Sequence, residues 1–196
     1  MIMTKKNKQL PMKRILLITL LLFITASIFS QTNYYPESIG TKVFHEDGYI
    51  YKAERKGTGY VEVYNSNHKW IGMYPVISST GESPDEYTPQ LEENNWTEQV
   101  QQLYSILEES YSTEEKKKIK ESVWGNECYV NLYINPQTGK VDDVRFSFYR
   151  NSYYMNFSVS RFREIELKIK NRLQFITTDY GKQLNFIYYW DDYHFK

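Results

Sequence analysis

Apolar and polar residues alternate along two separate stretches of this chain, and each stretch predicts β-strands. The first runs from Lys42 to Val76 and contains Asp47-Gly48, a dipeptide that favours a tight hairpin turn. The alternation resumes after Gly59 and is interrupted by a polar turn at Asn65 to His68. We interpret residues 31–77 as a small β-meander.

The second alternating stretch, Tyr129 to Phe148, predicts a longer hairpin. Its first strand has one apolar face, which carries Cys128, Val130, Leu132 and Ile134. Asn135 to Gly139 supplies the turn, because Pro and Gly adopt the backbone angles that turns require. The second strand places Val144, Phe146 and Phe148 on one face. Val141 is out of phase with them, which predicts a β-bulge near Asp142.

Helical spacing is found in two other places. Residues 96–122 form a helical segment whose apolar positions are Trp96, Val100, Leu103, Tyr104 and Leu107. Within it, Ser112 to Glu115 predicts a capping box that starts a second, short helix. Nearer the C-terminus, Val159, Phe162, Ile165, Ile169 and Leu173 form one apolar stripe. The pairs Glu164–Lys168 and Glu166–Lys170 are expected on the outer face of that helix.

A last strand, dense in aromatic residues, is predicted from Leu184 to Trp190. Residues 78–95 are rich in Ser, Pro, Glu and Asn and are interpreted as a linker loop. The predicted fold class is α+β. We expect an antiparallel ββαβ domain with one packed helix over residues 123–196, preceded by the β-meander and the helical segment.

Residues 1–30 differ from the rest of the chain. A basic lead that includes Lys13 and Arg14 precedes an apolar run from Ile15 to Phe29, and Ser30 follows it. This order predicts a secretory signal peptide cleaved after Ser30, because the apolar run is shorter than a membrane-spanning helix. We therefore expect export to the periplasm or secretion, without stable membrane insertion of the mature chain. The alternative is an uncleaved inner-membrane anchor.

Charge and cysteine content limit the function classes. The whole chain has 24 basic and 24 acidic side chains, and the leader holds five of the basic ones, so the mature chain has 19 against 24. This acidic balance disfavours a nucleic-acid partner, which requires a basic surface. The single cysteine, Cys128, cannot form an internal disulfide, so stability must come from a hydrophobic core.

Candidate catalytic groups are few. Cys128 is in phase with the apolar face of its strand, which predicts a buried, unreactive thiol. His45, His68 and His194 lack metal-ligand spacing, and neighbouring acids such as Asp191-Asp192 point to opposite sides of a strand. We therefore expect no catalytic residue, no metal and no cofactor.

The C-terminal region resembles the C-terminal domain of TonB-type proteins. The features that match are the alternating approach at Gly125 to Ile134, the turn N-P-x-T-G-K-V-x-D-V at Asn135 to Val144, and a helix followed by the final strand. The chain also resembles small secreted proteins of Gram-negative bacteria that carry such a module. The apolar run of the leader has no histidine and the six prolines are scattered, unlike TonB energy transducers. The resemblance thus implies the fold but not energy transduction.

The resemblance also implies a recognition mode in which the last strand accepts an extended peptide along its open edge. We expect a non-catalytic binding module whose partner-contacting side chains are Phe186, Tyr188, Trp190, Tyr129 and Tyr133. The back of the first hairpin strand, with Tyr129, Asn131 and Tyr133, either receives the β-meander or binds a peptide or glycan. Two alternatives are a small hydrolase of envelope polymers and a structural, self-associating protein. The sequence does not determine the oligomeric state.

Overall fold

The alternating stretches join into one open antiparallel sheet of six strands. The computed structural model describes residues 35, 39–46, 48–122 and 126–195. The predicted leader, residues 1–30, lies outside them. The strands are β1 (Gly40–Glu46), β2 (Tyr49–Arg55), β3 (Tyr60–Asn65), β4 (Cys128–Ile134), β5 (Val141–Tyr149) and β6 (Ile187–Tyr193). Their order across the sheet is β1-β2-β3-β5-β4-β6, and every neighbouring pair is antiparallel.

Both predicted hairpins form. Gly48 has a positive φ of 80° in the turn between β1 and β2, while its neighbour Asp47 lies outside the described residues. Gly139 has a φ of 69° between β4 and β5, and a Cβ there would lie 1.8 Å from the Phe175 carbonyl oxygen. Only glycine therefore fits the second turn. The predicted bulge is confirmed, because the β4–β5 register shifts opposite Asp142.

Three α-helices of the described residues accompany the sheet, so the fold class is α+β. They are α1 (Glu93–Ser110), α2 (Thr113–Lys120) and α3 (Val159–Arg172). The predicted capping box is confirmed: the Ser112 hydroxyl accepts from the Glu115 amide, and the Glu115 carboxylate accepts from the Ser112 amide. Within the described part of the chain, no helix is long and apolar enough to cross a membrane.

The hydrophobic core lies between one face of the sheet and the helices α1 and α3. Phe162 of α3 stacks on Phe148 with ring centroids 5.4 Å apart and lies 5.1 Å from Phe146. Leu103 and Ile106 of α1 are also buried. The apolar faces predicted for β4, β5 and α3 therefore meet in this core.

One expectation about α3 is wrong. Glu166 is fully buried rather than on the outer face, although Glu164 is exposed as expected. The reason is that β2 extends the sheet beneath α3, and the Tyr51 hydroxyl donates a hydrogen bond to the Glu166 carboxylate. Lys170 lies 2.8 Å and Arg163 3.2 Å from that carboxylate. Burial raises the pKa of Glu166, and Lys170 partly opposes the shift.

The β-meander does not pack on the back of the hairpin. Instead β3 pairs edge to edge with β5, from Tyr60 opposite Tyr149 to Tyr64 opposite Arg145. After β3 the chain makes turns through residues 66–72 rather than a further strand. The side of the sheet away from α1 and α3, which we call the back face, therefore has no second layer of described strands or helices over it.

The last strand also differs from its predicted bounds. β6 begins at Ile187, three residues later than expected, and continues through Asp191 to Tyr193. Gly181–Gln183 forms a 3₁₀ turn, and Leu184 bridges to Ile77 instead of joining β4. The local pattern of apolar residues does not distinguish a pairing of Leu184 with β4 from its bridge to Ile77.

Candidate functional site

The outer margin of β6 is the first candidate site. β6 is the last strand on its side of the sheet, with β4 as its neighbour. Residues 76–78 cover only the approach to it, where the Asn185 amide donates to the Val76 carbonyl at 3.0 Å. Among the residues described, no backbone hydrogen bond reaches the outer side of Ile187–Tyr193. Such a margin presents N–H and C=O groups to an incoming extended segment.

A groove of about 460 Å³ runs beside this margin. We call it the edge groove. Its floor is the start of β6, and its wall is the segment Glu86 to Leu91. At one end stands the ring of Trp96, edge-on to Tyr189 with centroids 5.9 Å apart. The edge groove thus combines an unpaired strand with aromatic side chains.

The wall of the edge groove is fixed to the rest of the domain. The Thr178 amide donates to the Gln90 carbonyl at 3.1 Å, and its hydroxyl donates to the Pro89 carbonyl at 2.8 Å. A Cβ at Gly181 would lie 2.2 Å from the Gln90 oxygen. Because Gly181 has no side chain, the Gln90 carbonyl of the wall can pack directly against its backbone.

The back face carries a second candidate surface, made of four aromatic rings. In order they are Tyr149, Tyr60, Tyr129 and Trp190, and we call them the aromatic band. Successive ring centroids lie 4.1, 5.8 and 6.2 Å apart. Trp190 is 55% exposed, which is high for the largest apolar side chain. The band crosses β3, β5, β4 and β6.

Polar groups lie beside the aromatic band and form the floor of a cleft of about 380 Å³. We call this the back-face cleft. Buried Asn131 accepts a hydrogen bond from the Tyr188 hydroxyl at 2.5 Å and donates to the Arg145 carbonyl at 3.2 Å. The Arg145 guanidinium lies 3.6 Å from Glu62. The cleft therefore offers both donors and acceptors.

The five side chains predicted to contact a partner divide into two groups. Tyr188 lines both the edge groove and the back-face cleft, whereas Tyr129 and Trp190 line the cleft. Phe186 and Tyr133 are buried. Phe186 packs against Trp70 at 4.7 Å, and Tyr133 lies below it at 5.6 Å. These two side chains support the site rather than form its surface.

Several residues at these surfaces were not predicted from the sequence. They are Trp96 and the wall segment in the edge groove, Tyr60 and Glu62 in the back-face cleft, and Arg145, which lies 3.6 Å from Glu62. The alternation of β3 already places Tyr60 and Glu62 on one face. What local pattern cannot reveal is that β3 pairs with β5, which brings this face beside β4.

His68 and Asp143 form a buried polar corner at one end of the back face. His68 Nδ1 accepts a hydrogen bond from the Trp70 amide at 3.1 Å and lies 3.7 Å from the Asp143 carboxylate. Burial lowers the pKa of His68 to about 4, against the opposing effect of Asp143, so the imidazole is neutral at pH 7. It lines neither the edge groove nor the back-face cleft. The pair therefore lies outside the lining of both candidate surfaces.

The other candidate chemical groups are similarly enclosed. Cys128 is 2% exposed, and burial raises the pKa of its thiol, so the thiolate required for nucleophilic attack is disfavoured. Asp191 points to the helix side, where the Tyr104 and Tyr189 hydroxyls donate to it. In the part of the chain that the structure describes, no group of three or more His, Cys, Asp or Glu is placed to hold a metal ion.

Comparisons with known proteins agree on a family. Residues 31–190 match the model of a domain of unknown function, DUF5043. The chain is also similar to the crystal structure of a DUF5043 family protein from Bacteroides uniformis, with 27% identity and a TM-score of 0.70, over 83% of this chain and 93% of that one. No curated protein matches the chain. Because the family model spans most of its length, the chain belongs to the DUF5043 family.

Proposed function

We propose that this protein is a non-catalytic binding module that docks an extended peptide, or the edge of a partner protein, beside β6. The observation that carries the proposal is the unpaired outer margin of Ile187–Tyr193 together with the edge groove alongside it. Main-chain hydrogen bonds would supply affinity in such a complex, and side-chain pockets would supply selectivity.

The C-terminal part of the domain supports a TonB-like mode of recognition. β4, β5, α3 and β6 follow one another in the order ββαβ, with β4 between the other two strands. The helix α3 packs on this sheet and leaves β6 at its edge. We propose that this unit is the recognition module and that the meander strands widen the sheet on the opposite side.

The proposal includes export to the periplasm or secretion. It is supported by the basic and apolar pattern of residues 1–30, and the family match begins beyond that segment, at residue 31. Mass measurement of the exported protein distinguishes cleavage after Ser30 from an uncleaved inner-membrane anchor.

Self-association is the second candidate, and a specific feature favours it. Among the described strands, β1 and β6 are the two terminal ones, and terminal strands are elements through which copies of a chain can pair. The hydrolase hypothesis has less support, because Cys128 is buried and His68 lines neither surface.

The test is selection of peptides that bind the full chain from a display library of random twelve-residue sequences. Hydrogen exchange of the complex with a selected synthetic peptide is then measured. We expect slower exchange of backbone amides within Ile187–Tyr193, because strand addition pairs the outward-facing groups of β6. Protection confined to β1, or none in either strand, contradicts the proposal.

Two glycine variants sharpen the test. Gly181→Ala should displace the wall of the edge groove and weaken peptide binding about tenfold, since its Cβ meets the Gln90 carbonyl. Gly57→Ala is the matched control, because the nearest atom to its Cβ among the described residues is a side-chain carbon of Ile39, 4.0 Å away. Light scattering without peptide measures the oligomeric state. Self-association is identified if the molar mass and the protection of the β6 amides both rise with protein concentration.

A further inference from the structure

The back-face cleft is separate from the backbone margin that the proposed function uses. Its lining comes from the loop before β3 and from four strands: Thr58, Tyr60, Glu62, Tyr129, Asn131, Ser147, Tyr188 and Trp190. Its volume of about 380 Å³ lies within the usual range of small-molecule sites, about 300–1,000 Å³. Only the side chain of Tyr188 is shared with the edge groove.

The aromatic band is held in place before any ligand arrives. The Tyr129 hydroxyl donates to Glu127 at 2.6 Å, and its ring is edge-on to Tyr60. Trp190 leans against Tyr129 with an interplanar angle of 45° and keeps more than half of its surface exposed. Rigid aromatic rings provide a flat apolar platform at little cost in conformational entropy.

The floor of the cleft is polar but carries no uncompensated charge. Glu62 lies between two cations, Arg145 at 3.6 Å and Lys56 at 3.5 Å. The Arg145 guanidinium also approaches the Asn131 side-chain oxygen and the Tyr188 hydroxyl, both at 3.4 Å. A ligand here needs hydroxyl groups that both donate and accept, and it does not need a charge of its own.

The surroundings exclude two other ligand classes. Two carboxylates border the aromatic band at Tyr129. Glu127 accepts a hydrogen bond from the Tyr129 hydroxyl, and Asp192 stands opposite Tyr129 in the register of β4 and β6. Carboxylates at this position repel the phosphates of a nucleic-acid strand, which instead requires a cationic groove. A purely apolar ligand would displace water from these polar groups without replacing the hydrogen bonds that the water makes.

We infer that the back-face cleft binds a neutral oligosaccharide, with a sugar ring stacked on Trp190 and its hydroxyl groups directed at Asn131, Glu62 and Ser147. Sugar rings present an apolar C–H face and a polar hydroxyl rim, and the cleft presents the complementary pair of surfaces. This inference does not depend on peptide docking at β6.

The test is calorimetric titration of the full chain with a panel of neutral, acidic and basic oligosaccharides of four to six sugars. We expect at least one neutral member to bind, and Trp190→Ala to weaken that binding at least tenfold. Trp190→Phe, which keeps a smaller platform, should restore most of the affinity. Tryptophan fluorescence of the wild type should change on binding.

Trp96→Ala is the matched control, because that tryptophan lines the edge groove and not the cleft. It should leave saccharide affinity within twofold while weakening peptide binding, and Trp190→Ala should retain more of its peptide binding than Trp96→Ala. Circular dichroism checks that both variants are folded. The inference is overturned if no neutral oligosaccharide binds, if charged ones bind more tightly, or if Trp190→Ala binds as the wild type does.

Discussion

The two faces of this sheet are built from alternate residues of the same strands, yet they differ in the helices that cover them and in the polarity of their side chains. On the helix side, β5 contributes Val144, Phe146 and Phe148, all buried. On the back face it contributes Arg145, Ser147 and Tyr149, which remain partly accessible. The difference arises because α1 and α3 cover only one side. Stability should therefore depend on the helix side, whereas the aromatic band of the back face is available for binding.

The largest expected effect concerns the helix side. Phe162→Ala removes a fully buried ring that packs on Phe146 and Phe148. The cavity left behind should lower the free energy of unfolding by about 3–5 kcal/mol. Urea unfolding followed by circular dichroism measures this change. Phe162→Leu is the control and should lose much less, because it keeps most of the volume. A loss below about 1 kcal/mol in the alanine variant would refute the assignment of the core to this side.

The buried corner of the back face provides the second test, because here residues 68–70 close over the sheet. The folded state depresses the pKa of His68 from 6.5 to about 4, chiefly through burial. A depressed pKa means that the fold favours the neutral form. The stability that this contributes is complete above about pH 6.5 and is lost as the pH falls toward 4. We expect a decrease of roughly 2–3 kcal/mol over that range at most.

Comparison with His68→Gln isolates this contribution. The charged groups that face His68 are Asp143, Arg145 and Lys170, and they remain in the variant. Glu166 has a raised pKa and therefore changes stability in the opposite direction as the pH falls, in both proteins. Urea unfolding between pH 7 and 5 should show a weaker pH dependence in the variant. Equal slopes would mean that His68 does not titrate as a buried group.

Much of this architecture follows from short-range pattern. The bulge at Asp142, the capping box at Ser112 and the apolar stripe of α3 are each decided within a few residues, and each was predicted correctly. The environment of Glu166 was not, because a strand more than a hundred residues away covers it. The same holds for β6, whose start depends on the bridge between Leu184 and Ile77.

The candidate site was predictable only in part, for a related reason. Trp190, Tyr129 and Tyr188 could be selected from the alternation of β4 and the last strand, and these three side chains line the back-face cleft. Tyr60 and Glu62 belong to a strand that reaches β4 only through β5. Phe186 precedes the strand that it was assigned to, and Trp70 packs over it. Contacts of this kind depend on tertiary pairing, which local sequence does not encode.

The smallest expected effect concerns the exposed end of the aromatic band. Trp190→Ala should change the free energy of unfolding by no more than about 1 kcal/mol, because the ring is 55% exposed and has Tyr129 as its aromatic neighbour. Trp70→Ala is the matched substitution in the buried corner of the back face, where the ring packs on Phe186 at 4.7 Å. It should cost about 2 kcal/mol, since apolar area on both rings becomes exposed. Urea unfolding of the two variants under identical conditions measures the difference between the two free-energy changes.

An equal loss of unfolding free energy in Trp190→Ala and Trp70→Ala would mean that the aromatic band holds the sheet together. The back face would then resemble the helix side in its role, and loss of saccharide binding in Trp190→Ala would no longer identify a contact.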